Sequence, residues 1–201
     1  MQYLSSSQIE QIEQLTRQWL ENIVIGLNLC PFAKSVYIKN QVRIVIYDDD
    51  LEGLPQFVQE ELLYLYNTPD TITDTTLIVL PQLLQDYLAF NDYLGVMDSV
   101  LESMNLIGIF QIADFHPDYQ FAGTQKDDLG NYTNRSPYPI LHLLRENSID
   151  RAVAQFPNPE TIFEKNIQRL QLIGREKWME LMQMEGEISK KYSQLAKYVL
   201  E

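Results

Sequence analysis

With 45% hydrophobic and 11% aromatic side chains, a chain of 201 residues can bury a full core, which excludes disorder along its whole length and suits one domain. The 15 basic residues against 28 acidic ones leave a net charge of −13, which repels nucleic-acid backbones and anionic lipid surfaces, so no nucleic acid and no membrane is expected as partner; a local basic pocket for a small anion remains compatible with it. The single cysteine, Cys30, forms no intramolecular disulfide, and Met1-Gln2-Tyr3-Leu4 does not open a leader of basic then apolar residues, so the expected setting is cytoplasmic.

In chain order, Ser7-Gln8-Ile9-Glu10 has the form of a capping box, and Ile9, Ile12, Leu15, Trp19, Ile23 and Val24 recur at helical spacing. The spacing predicts a first helix that ends around Gly26 to Asn28, with Cys30 in a turn because Pro31 biases it away from helical geometry. Val42 to Tyr47 is β-branched and aromatic and stops at Asp48-Asp49-Asp50, as a buried strand does. Leu51, Leu54, Val58, Leu62 and Leu65 mark a helix, Thr75 to Leu80 a second strand, Leu84 to Met104 a further helix, and Ile107 to Phe115 a third strand.

This alternation predicts an α/β fold: a small, mainly parallel sheet of three to four strands with helices packed on it and a helical C-terminal region. The Val36 to Asn40 region is the candidate for a fourth, antiparallel strand. Beyond Arg145 the pattern is helical, with caps expected at Ser148 and at Asn158-Pro159 and a stop at Gly174. Residues 1–174 then form a single domain, and 175–201 a terminal helix, carrying Met179, Leu181, Met182, Met184 and Ile188, that docks on the domain or on a second subunit. A homo-oligomer built through that helix is therefore an expected partner, beside a small anionic molecule.

The stretch from Phe115 to Arg145 holds both histidines and begins where the third strand ends, on the side where open α/β sheets bind ligands. Its connection to Pro137 exceeds the roughly 12 to 15 residues beyond which a loop is usually functional or disordered. Asn134-Arg135-Ser136-Pro137-Tyr138-Pro139 reads as a helix start with Ser136 as N-cap, whose free N–H groups together with Arg135 would hold an anion. His142 and Arg145 would then share a helix face.

Gly26-Leu27-Asn28-Leu29-Cys30-Pro31-Phe32-Ala33, Phe115-His116-Pro117-Asp118-Tyr119-Gln120-Phe121-Ala122-Gly123 and Asn134-Arg135-Ser136-Pro137-Tyr138-Pro139 resemble the motifs of the uncharacterised bacterial family catalogued as domain of unknown function 1415. The likeness runs from about Thr16 to Gly174. It implies a bacterial cytosolic protein, names no activity, and marks Asn28, Cys30, Pro31, Lys34, His116, Asp118, Tyr119, Asn134, Arg135, Ser136, His142 and Arg145 as positions to test.

Two functional classes follow. In one the chain is a small enzyme acting on an anionic metabolite: Arg135 and Arg145 hold the substrate, His116 is acid or base, Asp118 tunes it, Cys30 is the optional nucleophile, and Asn28, Tyr119, Asn134, Ser136 and His142 complete the substrate site. In the other it is a non-catalytic ligand-binding or protein-interaction module in which the same residues are structural. His116, Asp118, His142 and Cys30 offer metal donors, as do Asp48, Asp49 and Asp50, but the spacing matches no standard metal pattern and no metal is assigned. Neither a phosphate-binding glycine loop nor a Gly-x-Ser-x-Gly elbow occurs, so the cofactor stays open.

Overall fold

A computed structural model describes residues 3–156 and 158–183. Strands β1 (Val42–Ile46), β2 (Thr75–Val79), β3 (Phe110–Phe115) and β4 (Ile140–Arg145) form one sheet in the spatial order β1-β2-β4-β3. β1 pairs with β2 in parallel, while β4 runs antiparallel to both β2 and β3. Three strands therefore point one way, and the last in sequence fills the slot between two of them.

Helices cover both faces, because side chains alternate across a strand and each face of this sheet is apolar. On one face α3 (Leu54–Asn67) and α4 (Tyr87–Ser103) bring Leu54, Val58, Leu62, Leu65, Phe90 and Met97 against Ile78, Leu80, Leu141, Leu143 and Phe110. On the other, α1 (Ser6–Trp19), a π-helical turn (Leu20–Ile25) and α6 (Ile162–Gln183) bring Trp19, Ile23, Leu27, Leu170, Trp178 and Leu181 against Leu77, Val79 and Ile140. Each fully buried Leu or Phe contributes roughly 1.5–3 kcal/mol. An ion pair from Arg43 on β1 to the buried Glu61 on α3, at 2.9 Å, adds a directional tie, and Arg43 also lies over the Tyr64 ring.

The α/β class holds, with departures in detail. The sheet is mixed rather than mainly parallel: two of its three ladders are antiparallel. The fourth strand is Ile140–Arg145, in the segment expected to start a helix, whereas the Val36 to Asn40 region belongs to a short helix, α2 (Ala33–Tyr37), and the turn after it. A run of six residues with apolar side chains on both faces suits a strand buried on both sides, and the vacant place between β2 and β3 supplies that environment. His142 and Arg145, three apart in a strand, consequently point to opposite faces.

The capping box of α1 is Ser5 with Gln8, two residues earlier than expected. α5 (Glu146–Ala154) follows β4 directly, with Arg145 rather than Ser148 at its N-cap position. Ser148 instead donates to the Asp74 carboxylate at 2.6 Å. Pro159 opens a short 3₁₀ turn (Pro159–Thr161), with Asn158 before it in left-handed conformation. Gly174, at φ 74° and ψ 164°, breaks α6 as expected, a conformation glycine adopts without strain. The part after the break inserts Trp178 and Leu181 into the core; Met184 and Ile188 lie outside the described residues. Among the described residues no helix is long and apolar enough to cross a membrane.

Candidate functional site

The long connection after β3 is tied together by one side chain. Asn131, fully buried on a 3₁₀ turn (Leu129–Thr133), accepts from the Phe121 N–H at 3.0 Å and the Thr124 hydroxyl at 2.9 Å, and donates to the Gln125 carbonyl at 2.7 Å. Composition alone does not announce this role, since Asn in such a loop reads as ordinary turn chemistry.

His116 is 0% exposed and lies against Tyr87 and Phe90 of α4. Its Nδ1 accepts from the Asp118 N–H at 3.0 Å, so the ring proton sits on Nε2, which donates to the Leu84 carbonyl at 3.1 Å. Burial pushes the imidazole below its usual range, against the opposing pull of the Leu84 carbonyl and of Asp118 and Asp86. Leu84 has φ 54°, a left-handed geometry costing a leucine about 1–2 kcal/mol, and the His116 bond helps hold it. Asp118 reaches the histidine through its backbone; its carboxylate faces Lys126 at 3.1 Å in an exposed pair. His116→Phe, which keeps the ring but removes both hydrogen bonds, is expected to lower stability by about 2 kcal/mol in urea unfolding. Unchanged stability would show that the two bonds carry no net weight.

Arg135, 7% exposed, points inward rather than to a helix start. Its guanidinium donates to the Lys126 carbonyl at 2.6 Å and the Tyr119 carbonyl at 3.4 Å and lies 4.0 Å from the centre of the Tyr132 ring, while its own carbonyl accepts from Trp19 Nε1 at 2.9 Å. Ser136 is likewise turned inward, donating to the Tyr138 carbonyl at 2.5 Å. His142 Nε2 meets the Thr75 hydroxyl at 2.7 Å, and Arg145 donates to three carbonyls at the end of α3 and the turn after it. Tyr119 packs on Tyr87 and Phe121, and its phenol is pushed up chiefly by burial.

Asp114 escaped the sequence reading. On β3 it shares a face with Phe110 and Ile112, and burial raises its carboxyl while Tyr87 and Tyr119 stand near. The available signal was a carboxylate placed within a predicted apolar strand.

Cys30 and Asn134 have a different setting. The π-helical turn delivers the chain to Gly26, where a Cβ would collide with the Asn22 and Glu21 carbonyl oxygens, so only glycine fits. The Val24 carbonyl then accepts from both the Leu29 and Cys30 N–H groups, at 2.9 and 3.3 Å. Asn28 takes a left-handed φ of 50°. From α6, Asn166 donates to the Leu29 carbonyl at 2.7 Å and Arg169 to the Asn28 carbonyl at 2.9 Å. Between these elements lies a cavity of about 360 Å³, lined mainly by Val24, Leu29, Phe115, Pro159, Ile162 and Phe163, with Cys30, Thr133, Asn134, Glu160 and Asn166 as its polar groups. Burial pushes the Cys30 thiol up, only partly offset by the Phe32 and Ala33 amides, so it is a neutral thiol near pH 7.

The fold thus brings Cys30 and Asn134 to one cavity, with Asn28 just behind its wall, and sets His116 on the α4 side of the sheet with the other predicted residues bound into the framework. Among the described residues no group of three or more His, Cys, Asp or Glu side chains is placed to hold a metal ion. The α6 residues that line the cavity, Ile162, Phe163 and Asn166, and Arg169 on the neighbouring Asn28 carbonyl were missed; the available signal was a polar pair, Asn166 and Arg169, interrupting the apolar face of Ile162, Leu170 and Ile173. No curated protein and no solved structure matches the chain. The profile of one family, described as protein of unknown function (DUF1415), matches residues 11–180, and the three motifs that build the cavity wall, the His116 turn and the Arg135 stack all fall within that span: the chain belongs to the DUF1415 family.

Proposed function

We propose that this chain is a cytosolic small-molecule-binding module whose ligand enters the cavity under α6, and that His116, His142, Arg135 and Arg145 serve its fold. The observation that carries this reading is the division of labour in hydrogen bonding. Both His116 ring nitrogens are engaged, as are donors of Arg135 and Arg145, and the groups that engage them belong to the backbone. The cavity instead combines an apolar wall with a few polar groups, and its volume of about 360 Å³ falls in the range of roughly 300–1,000 Å³ typical of ligand pockets.

A catalyst built on His116, Asp118 and Arg135 finds less support. Its imidazole is buried and pushed toward the neutral form, its carboxylate is directed to Lys126, and among the described residues no histidine lines the cavity with Cys30.

Ligand-observed NMR with a panel of small aromatic fragments tests the proposal. Fragments are expected to give contact signals with the parent and to lose them with Ile162→Trp, which fills the cavity without touching His116. Signals that persist in the filled variant, or a panel with no binder, would overturn it.

A further inference from the structure

Beside the cavity, one turn along α6 from its lining residue Asn166, Arg169 carries a charge that no carboxylate among the described residues balances. Ile162, Asn166 and Arg169 lie at helical spacings of four and three on one side of α6, and the last two grip consecutive carbonyls, those of Leu29 and Asn28. Asn166, 7% exposed, lines the cavity; Arg169 is one turn further along the same face, partly buried. Six cations of this acidic chain pair with a carboxylate among the described residues: Arg17, Arg43, Lys126, Arg151, Arg175 and Lys177. Arg169 is not among them. Among the described residues its one hydrogen bond is the NH1 donation to the Asn28 carbonyl, and burial pulls its pKa down from the ordinary arginine value.

Half-buried guanidinium groups ordinarily meet an anion, because removing a charge from water is costly unless it is paired. Arg135 and Arg145 resolve that cost with several carbonyls each or with a ring face; Arg169, with one carbonyl, has donors to spare. The carboxylate among the polar groups of the cavity, Glu160, precedes the helix by two residues and stands nine residues from Arg169, about 13 Å along the axis. That separation exceeds the Debye length of about 8 Å at physiological salt, so its repulsion of an anion held at Arg169 is largely screened.

Building on the cavity reading above, we infer that the ligand is an apolar molecule ending in a carboxylate, its hydrocarbon body among Val24, Leu29, Phe115 and Ile162 and its anionic end paired with Arg169 beside the Asn28–Leu29 turn. The expected ligand class is a small aromatic or branched aliphatic acid. The planar fork of a guanidinium donates two parallel N–H bonds to a carboxylate, a geometry a lysine does not reproduce.

The test compares 2-naphthoate with the near-isosteric, uncharged 2-naphthamide, titrated into the full chain and into Arg169→Gln, which retains an amide donor for the Asn28 carbonyl. Occupancy is read by NMR and, independently, by protection of Cys30 from N-ethylmaleimide, since the chain has one cysteine and it lines the cavity. The parent is expected to bind the acid at least tenfold more tightly than the amide. Arg169→Gln is expected to reduce that preference to under threefold while leaving naphthamide affinity within twofold. Equal binding of the two probes by the parent, or a preference that survives in Arg169→Gln, would overturn the anionic assignment while the cavity reading stands. Failure of both probes to bind and to protect Cys30 would overturn both.

Discussion

Arg145→Met is expected to cost about 3–4 kcal/mol of unfolding free energy, the largest single-residue loss outside the apolar core. β4 lies between β2 and β3, and from its last residue the guanidinium donates to the Leu65, Thr68 and Thr73 carbonyls, the latter two at 2.7 and 3.2 Å. Leu65 lies in the last turn of α3 and Thr68 caps it, its N–H donating to the Leu65 carbonyl; at this end of a helix carbonyls have lone pairs to spare and the macrodipole favours a cation. The Phe110 ring lies 5.5 Å from the guanidinium carbon. Against this stands the buried Arg145 Nε, which has no hydrogen-bond partner among the described residues, and the general finding that apolar residues often replace buried charges at little cost. Here the carbonyls decide the sign, because methionine keeps the contact with Phe110 but offers nothing to the end of α3 or the turn before β2. The midpoint of urea unfolding should fall with an unchanged m-value, and Arg145→Lys, a point charge without the fork, should recover less than half of the loss. A loss below about 1 kcal/mol would mean that water replaces the guanidinium and that the clamp is unnecessary.

Acid should destabilise the protein through its second histidine. His142 lies on the central strand β4, ringed by Leu77 and Ala113 in register and by Phe115 at 6.0 Å, and burial pushes its pKa down to about 4. The Thr75 hydroxyl donates to the Leu143 carbonyl at 2.6 Å, so it accepts from a ring proton on Nε2. The unfolded chain takes up a proton at about pH 6.5, before the folded one does. The stabilisation is therefore complete above that pH and is lost as pH falls toward about 4, a change on the order of 3 kcal/mol. His116, also shifted downward by burial, contributes with the same sign. Protonation of carboxylates relieves the repulsion of a −13 chain over the same range and works in the other direction. The comparison with His142→Gln, which keeps a donor for Thr75 but does not titrate, separates the two effects. Between pH 7 and pH 4.5 the parent should lose about 2–3 kcal/mol more than the variant. Parallel pH profiles would remove His142 as the cause.

Each of these residues stands in the sequence as a polar group in a notable place, and by pattern alone each reads as part of a substrate site. The difference lies in direction. A histidine or arginine in a motif is equally compatible with a ligand contact and with a backbone carbonyl, and only the positions of Leu84, Leu65, Thr68 and Thr73, distant in sequence from their partners, choose between the two.

Periodicity and turn chemistry determined much of the architecture by themselves. The β-branched runs of β1 and β2, the 3.6-residue stripes of α1, α3 and α4, and the break at Gly174 are local preferences that tertiary contacts reinforce. Tertiary structure alone decided the state of Ile140–Arg145, because six mainly apolar residues after two prolines suit a buried helix and a buried strand equally, and pairing on both sides with β2 and β3 satisfies its backbone only as a strand. The cavity was decided the same way. Its walls come from Val24 to Cys30, Phe115, Asn134 and Pro159 to Asn166, segments that no local rule brings together and that meet because α6 folds back across the sheet to bury Leu170, Trp178 and Leu181.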